Sequence, residues 1–199
     1  MLSNDEIKSI FQKHGNVMRT SELSASKIYY NDIQTLLKEG VIEKLKQGYY
    51  YFIDEYNTNE IDIIKRLYPD AILCMHTALF HYGYSDRTPS EWNLAVDKNI
   101  SRYKIKIEYP FIKSYLFEPH LLDIGLTEQI IDNTYARIYD KDRTICDCLR
   151  YMGKMDKEIF NKAIQKYVND SKKNIPNLIE YAKPLRVQKK VKDLIGVWL

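Results

Sequence analysis

Three cysteines and two histidines are the first candidates for metal chemistry, with Cys74, His76 and His81 in one stretch and Cys146 and Cys148 in another. Paired zinc ligands are usually separated by two or more residues, which lets both side chains reach one tetrahedral ion. Here only one residue separates the members of each close pair. Cys74 and Cys146 also lie within apolar stretches of helical spacing, where a free cysteine packs as a small hydrophobe. The sequence therefore predicts buried structural cysteines and no cofactor.

Asp140 and Asp142 are the candidates for a catalytic magnesium site, because a nucleotidyltransferase holds Mg²⁺ against a triphosphate with a carboxylate pair. Such enzymes carry a Gly-Ser turn ahead of the pair, whereas this chain has residues 137–139, Arg-Ile-Tyr. The pair is more typical of a turn and a helix N-cap leading into Arg143. A phosphate-binding glycine loop and a Gly-x-Ser-x-Gly elbow are also missing from the sequence. The sequence predicts that the protein is not an enzyme, and catalysis by its second half is the weakest interpretation.

Residues 30–38 have the pattern of a helix with one apolar face and one polar face. Ile33, Leu36 and Leu37 follow the i, i+3, i+4 spacing of a buried stripe. At about 100° per residue, the other side carries polar groups: Asn31, Thr35 and Lys38 opposite the stripe, with Tyr30 and Gln34 on the flanks. Tyr29 turns back toward the stripe, which predicts a position in the core.

The elements around this helix predict a helix-turn-helix with a wing. Residues 20–25 form a preceding helix, and residues 24–26 form the turn between the two helices. Residues 41–45 and 49–53 predict two strands joined by a turn at residues 46–48, and Lys44 and Lys46 add positive charge to this ribbon. A helix with short polar side chains beside a basic ribbon has the shape and charge for a DNA groove. The alternative is a helix-and-hairpin module that binds protein.

Composition is ordinary for a globular protein. The 199 residues are enough for one medium domain or two small ones, with 45% hydrophobic and 29% charged residues. The sequence has no apolar run of the roughly 18 residues that a membrane helix needs and no apparent signal peptide. Three cysteines without framework spacing favour a reducing, cytoplasmic compartment. A net charge of +3 permits nucleic-acid binding without requiring it.

The periodicity along the chain predicts two domains of an α+β protein. Ser3 and Glu6 form a capping box that starts a first helix, and residues 17–19 are a short extended link. Residues 1–53 are predicted to be the winged helix-turn-helix domain, residues 54–59 the linker and residues 60–199 the second domain. That second domain is predicted to be a small, mostly antiparallel sheet with flanking helices. Its predicted strands are residues 92–96, 103–109, 115–117 and 136–139. Its predicted helices are residues 60–68, 71–82, 143–152, a helix capped by Asp156, and residues 178–182 and 185–198.

Two charged features of the second domain have structural interpretations. Arg143 and Asp147 are four residues apart on one predicted helix, and as a surface ion pair they would contribute ~0.3–0.5 kcal/mol. The last helix carries a basic face: Arg186, Lys189, Lys190 and Lys192. This face is expected to be solvated, as charge runs usually are. A second nucleic-acid contact is the alternative.

Nearly the whole chain resembles the AbiEi family of bacterial antitoxins, which are winged-helix transcriptional regulators of type IV toxin–antitoxin systems. The N-terminal resemblance lies in LLKEGVIEKLKQGYYYF (residues 36–52), which follows the helix-turn-helix. In the second domain it lies in CMHTALFHYGYSD, EWNLAVD and RIYDKDRTICDCL. There, Ala78-Leu79 with Gly83, and Arg143-Thr144 with Asp147, match the family's Ala-Leu…Gly and Arg-Thr…Asp stretches.

The resemblance implies that the N-terminal domain binds inverted repeats of operator DNA and represses its own operon. It also implies that the C-terminal domain counteracts a nucleotidyltransferase-like toxin without forming a stable complex, in abortive phage infection. The implied DNA-binding residues are Arg19, Lys27, Tyr30, Asn31, Gln34, Thr35, Lys38, Lys44 and Lys46. Asn and Gln can read adenine edges, Thr can contact a thymine methyl, and the cations of the first link and the ribbon can hold phosphates. A stand-alone winged-helix regulator whose second domain senses a ligand is the alternative.

Overall fold

The first helix, α1 (Asn4–Gln12), begins at the capping box that the sequence predicts. In the computed structural model of the chain, which describes residues 2–54, 59–101 and 105–196, the Glu6 backbone N–H donates to the Ser3 hydroxyl. The Ser3 backbone N–H donates to the Glu6 carboxylate at 2.7 Å. Ile7 and Phe11, one turn apart, are buried on the inner side of the helix.

The predicted helices and strands of residues 20–53 are confirmed element by element. They are α2 (Thr20–Ala25), α3 (Tyr30–Lys38), β2 (Ile42–Lys46) and β3 (Tyr49–Phe52). The extended link ahead of them is a strand, β1 (Val17–Arg19), which pairs with β3. The three strands form an antiparallel sheet in the order β1-β3-β2. The helices pack on this sheet through buried side chains that include Phe11, Leu23, Ile33, Leu36 and Phe52.

The predicted helix after the linker is also present, as α4 (Glu60–Leu67). By their contacts, Met1–Pro69 and Arg102–Phe111 form one unit, and Asp70–Ser101 and Ile112–Leu199 form the other. The sequence analysis placed residues 60–69 and 102–111 in the second domain, whereas here they pack with the first unit. One tie is the Tyr68 hydroxyl, which donates to the Ile105 carbonyl at 2.8 Å.

The second unit contains a five-stranded sheet in the order β6-β5-β4-β8-β7. Its strands are β4 (Ile72–Leu73), β5 (Trp92–Asp97), β6 (Ile112–Phe117), β7 (Leu126–Ile131) and β8 (Thr134–Tyr139). The sheet is mixed, since β5–β6 and β4–β8 are parallel. The prediction of a mostly antiparallel sheet is therefore wrong in detail. The α+β class itself is confirmed.

The helix predicted for residues 71–82 is half correct. The apolar stretch begins as β4 and turns at Cys74 into α5 (Met75–His81). Short apolar runs do not distinguish a buried strand from a buried helix, and this run contains both. The sequence analysis also did not predict β7 or the short helix α6 (Pro119–Leu122).

The prediction of a strand at residues 103–109 is wrong for the residues that the structure describes. Residues 103 and 104 lie outside the described part of the chain, and residues 105–109 form no strand. Ile105 is buried there. Alternation of apolar and polar residues shows only that a segment turns one side to the core, and an irregular segment can satisfy that pattern.

The helical C-terminal part is confirmed, with shifted boundaries. It contains α7 (Lys141–Tyr151), a 3₁₀ turn (Met152–Lys154), α8 (Lys157–Val168), α9 (Ile175–Ala182) and α10 (Gln188–Leu194). Asp156 caps α8 as predicted. The predicted helix at residues 185–198 is shorter, because Arg186 has a left-handed φ of 58° and α10 starts after it. Residues 197–199 lie outside the described part of the chain.

Candidate nucleic-acid interface

The outer face of α3 carries most of the side chains that were assigned to base reading. Asn31, Gln34 and Lys38 are exposed, and their spacing of three to four residues puts them on one face. Tyr30 beside them is 73% exposed. On the inner side Ile33 and Leu36 are buried. The apolar stripe therefore fixes the helix so that its polar side chains face outward.

Thr35 and Lys27 lie at the margin of this face. Thr35 is half-buried, and its hydroxyl donates to the Asn31 carbonyl at 3.1 Å. Lys27 is exposed in the turn between α2 and α3, with a left-handed φ of 64°. The turn brings its charge close to the start of α3.

The prediction that Tyr29 belongs to the core is wrong, since the side chain is 59% exposed. Tyr29 is the N-cap of α3, and its backbone N–H donates to the Asp32 carboxylate at 2.9 Å. Because the helix begins at Tyr30, helical periodicity does not extend back to this residue. Ile28, which is 2% exposed, occupies the core position.

Three of the predicted phosphate-binding cations lie in the hairpin and the first strand. Arg19 at the end of β1 and Lys44 in β2 are exposed, and the Lys44 Nζ donates to the Gln47 side chain at 3.1 Å. Lys46 is only half-exposed. Its Nζ donates to the Leu67 carbonyl at 3.4 Å and lies 4.5 Å from the centre of the Tyr68 ring. Lys46 is thus held by the scaffold rather than extended into solvent.

Hydrogen bonds join α2 to the turn of the hairpin. The Thr20 backbone N–H donates to the Gly48 carbonyl at 3.0 Å, and the Thr20 hydroxyl reaches the same oxygen at 3.4 Å. The Glu22 carboxylate accepts from the Arg19 backbone N–H at 2.8 Å and pairs with Arg66. These contacts fix the start of α2 beside the hairpin.

The cysteines of the second unit are buried, as predicted. Cys74, Cys146 and Cys148 are free thiols in the core, and the Cys146 Sγ lies 3.6 Å from the Leu178 carbonyl. Burial raises the pKa of each thiol. Within the described ranges, no group of three or more His, Cys, Asp or Glu side chains is arranged to hold a metal ion.

Asp140 and Asp142 make structural hydrogen bonds at the start of α7. Asp140 is the predicted N-cap, and its carboxylate accepts from the Arg143 backbone N–H at 2.7 Å. Asp142 is buried and accepts from the Tyr167 hydroxyl at 2.7 Å and the Asn174 backbone N–H at 2.9 Å. The two carboxylates therefore anchor α7 to neighbouring elements.

The Arg143–Asp147 pair forms, but the expectation of a surface pair is wrong. Both side chains are fully buried, and the Arg143 Nε donates to the Asp147 carboxylate at 3.1 Å. The guanidinium also donates to the Leu121 and Ile124 carbonyls, each at 2.7 Å. Its carbon lies 4.0 Å from the centre of the Tyr139 ring. Arg143 thus joins α7 to the segment between β6 and β7.

This environment makes stability depend on pH through Asp147. Burial raises the pKa of the Asp147 carboxyl to about 6, and the charge of Arg143 opposes that shift. The pKa of Asp147 in the folded chain exceeds its unfolded value of about 4. The Asp147 carboxyl therefore contributes its full stabilisation below pH ~4, and this stabilisation is lost as the pH rises through ~6. We expect the free energy of unfolding of the wild type, minus that of Asp147→Asn, to fall between pH 4 and pH 7. Urea titrations of both proteins at a series of pH values measure this difference. A difference that stays constant with pH would contradict the raised pKa of Asp147.

The basic face near the C-terminus is only partly solvated. Arg186, Lys189 and Lys192 are exposed. Lys190 is half-buried, and its Nζ donates to the Leu149 carbonyl at 2.7 Å. Lys190 therefore has a packing role between α10 and the end of α7.

A groove between α8 and α10 encloses about 410 Å³. Apolar side chains of Phe160, Ile164, Val168 and Leu194 line part of it, together with the amides of Asn161, Gln165 and Asn169. The sequence analysis did not identify this groove, although residues 160, 164 and 168 repeat at the helical spacing of four.

No protein-family model matches the chain, and no curated protein matches its sequence. Among the described residues, every helix is too short or too polar to cross a membrane.

Proposed function

We propose that residues 1–53 form a winged helix-turn-helix that binds operator DNA. The element order α1-β1-α2-α3-β2-β3 and the sheet order β1-β3-β2 support this interpretation. The observation that carries it is the outer face of α3, where Asn31, Gln34 and Lys38 are exposed together. Arg19 and Lys44 of the sheet are exposed as well. Amide side chains can hydrogen-bond adenine edges, and cations can hold the phosphates on either side.

We further propose that the chain is the antitoxin of a bacterial type IV system similar to AbiE. In this proposal it binds inverted repeats, represses its own operon and acts in the cytoplasm, with no catalysis of its own. The second unit would counteract a nucleotidyltransferase-like toxin without a stable complex. The resemblance to AbiEi antitoxins supports this assignment. The structural use of Asp140 and Asp142 also supports it, because the nucleotidyl chemistry would then belong to the partner.

Replacing Gln34 with alanine is expected to relax the sequence preference of DNA binding. A bidentate amide–adenine contact discriminates by about 1–3 kcal/mol, or roughly 5- to 150-fold between the right and the wrong base. Mobility shifts on the duplex upstream of the gene, and on the same duplex with single base changes, measure that ratio. Gln129→Ala, an exposed glutamine of β7, is the matched control. An unchanged ratio for Gln34→Ala would show that the face of α3 is assigned wrongly.

Growth rescue tests the antitoxin function. The neighbouring toxin-like gene is expressed with either the full chain or the Asn31→Ala/Gln34→Ala variant. Rescue by both, with DNA binding lost only in the variant, would support an antitoxin activity that is separate from operator binding. Failure of both to rescue, with wild-type DNA binding intact, would contradict the antitoxin assignment.

A stand-alone regulator that senses a ligand is the second candidate, and the groove in the second unit favours it. Its volume of about 410 Å³ lies in the range of small-molecule sites, roughly 300–1,000 Å³. Ile164→Trp would fill the groove. A small molecule that changes the operator affinity of the wild type but not of Ile164→Trp would support this candidate.

A further inference from the structure

Tyr29 is held outside the core by the hydrogen bonds of its own backbone. Its N–H donates to the Asp32 carboxylate at 2.9 Å, and its carbonyl accepts from the Ile33 backbone N–H, also at 2.9 Å. The residue before it, Ile28, is buried, and the Ile28 backbone N–H donates to the Leu23 carbonyl at 2.9 Å. The backbone at residue 29 is therefore fixed, and it presents a tyrosine side chain that is 59% exposed.

The Tyr29 hydroxyl differs from those of buried tyrosines that bond to other parts of the fold. The Tyr68 hydroxyl donates to the Ile105 carbonyl at 2.8 Å, and the Tyr167 hydroxyl donates to the Asp142 carboxylate at 2.7 Å. Among the residues that the structure describes, the Tyr29 hydroxyl makes no hydrogen bond. A tyrosine combines an apolar ring with a polar end, which suits a surface that binds a partner. Both parts of this side chain are thus available to a ligand.

The charges in the segment around Tyr29 favour a polyanion. Residues 27–38 contain two exposed lysines, Lys27 and Lys38, and one acid, Asp32. Neither lysine forms an ion pair within the described part of the chain. The Asp32 side chain is half-buried, and its carboxylate is bonded to the Tyr29 backbone N–H. A partner that covers this segment therefore meets more positive than negative charge, and the phosphate backbone of duplex DNA is the complementary ligand.

We propose that Tyr29 is an uncharged phosphate contact of the DNA-binding surface. Its hydroxyl donates to one backbone phosphate of the duplex, and its ring packs on the adjoining deoxyribose. Tyrosine is among the side chains that bond phosphates in protein–DNA complexes, and such bonds set the register without reading sequence. In a helix-turn-helix the first residues of the second helix reach base edges, so the residue just before that helix lies where the groove meets the backbone. The inference rests on the proposed function, and it adds a residue that the sequence analysis placed in the core.

Titration of the full chain with the upstream duplex at several salt concentrations tests this contact. Tyr29→Phe removes only the hydroxyl and is expected to weaken binding about tenfold, because a hydrogen bond to a charged group is lost. Tyr29→Ala also removes the ring and should weaken binding several-fold further, since apolar surface is no longer buried. Because Tyr29 carries no charge, the slope of log affinity against log salt should keep its wild-type value in both variants. Lys27→Gln, in contrast, should reduce that slope by about 0.9.

Duplexes that carry one methylphosphonate identify the phosphate. This group replaces a charged phosphate oxygen with a methyl group, so it weakens the acceptor at one known position. We expect one position at which the methylphosphonate weakens binding of the wild type about tenfold but changes binding of Tyr29→Phe much less, because the two changes remove the same bond. Losses that multiply at every position would overturn the phosphate contact, and so would wild-type affinity in Tyr29→Phe.

Tyr135 supplies the matched control, because it is 67% exposed in β8 of the second unit. Tyr135→Ala should bind the duplex within about twofold of the wild type, and thermal melts establish that each variant is folded. A changed preference of Tyr29→Ala between the upstream duplex and duplexes with single base changes would show base reading and overturn the positioning role. Wild-type protein that binds no duplex would contradict the proposed function, whereas wild-type affinity in Tyr29→Ala would overturn only the role of Tyr29.

Discussion

Replacing Gly125 with alanine is expected to destabilise the second unit by about 2–5 kcal/mol. Gly125 has a left-handed φ of 69°, and a Cβ built on it would lie 2.4 Å from the Cβ of Arg143. Left-handed backbone costs a non-glycine residue about 1–2 kcal/mol, and overpacking a buried site adds about 1–3 kcal/mol. The backbone at Gly125 cannot easily move away from Arg143, because the Gly125 carbonyl accepts a hydrogen bond from the Asp140 backbone N–H at 2.8 Å. Urea denaturation measures the loss.

Gly83→Ala is the matched control for that prediction. Gly83 has almost the same backbone angle, with a φ of 71°, but no atom lies within 4 Å of a Cβ built there. The Gly83→Ala variant should therefore lose only the about 1–2 kcal/mol that left-handed backbone costs a non-glycine residue. The difference between the two variants isolates the close approach of residue 125 to Arg143. Equal losses would show that the backbone conformation alone matters.

Replacing Asp147 with leucine is expected to cost about 3–5 kcal/mol of unfolding free energy. Arg143 is fully buried, so the substitution leaves its guanidinium without the carboxylate that faces it. Chemical denaturation of Asp147→Leu and Asp147→Asn measures the effect. The asparagine variant is expected to be milder, since its side-chain oxygen can still accept from the Arg143 Nε.

A second substitution separates the charge from the packing. Arg143→Met in the Asp147→Leu background removes the buried charge, but it leaves the Leu121 and Ile124 carbonyls without their donor. Each unsatisfied carbonyl costs about 1–3 kcal/mol. We therefore expect the double variant to lose less stability than the sum of the two single losses, without returning to the wild-type value. Strictly additive losses would contradict the interpretation of the pair as one buried unit.

The N-terminal part of the fold was predictable because its signals are local. The Ser3 capping box, the stripe of Ile33 and Leu36 and the turn before Tyr49 each depend on neighbours a few residues away. Tyr29 was misplaced for the same reason, since helical spacing was extended one residue beyond the helix. The exposed positions of Asn31 and Gln34 followed directly from the stripe on the other side.

The second unit was less predictable because distant segments decide its details. Eight consecutive residues of α7, from Asp142 to Leu149, are buried, so periodicity in that helix does not reveal an outer face. The burial of Arg143 depends on carbonyls at residues 121 and 124, and the parallel pairing of β4 with β8 joins residues 73 and 138. The pairing of β1 with β3 likewise joins residues 19 and 49, and a strand of only three residues is too short to be predicted from sequence periodicity.

The path of the chain between the two units has a consequence for how the protein is made. The chain leaves the first unit after residue 69, returns for residues 102–111 and leaves again. During translation, the N-terminal unit therefore emerges from the ribosome without its last segment, and residues 70–101 must be synthesised before that segment can join it. A nascent chain that ends at residue 69 lacks the Ile105 carbonyl that accepts the Tyr68 hydroxyl. Maturation of the amino-terminal half is thus coupled to synthesis of the other half.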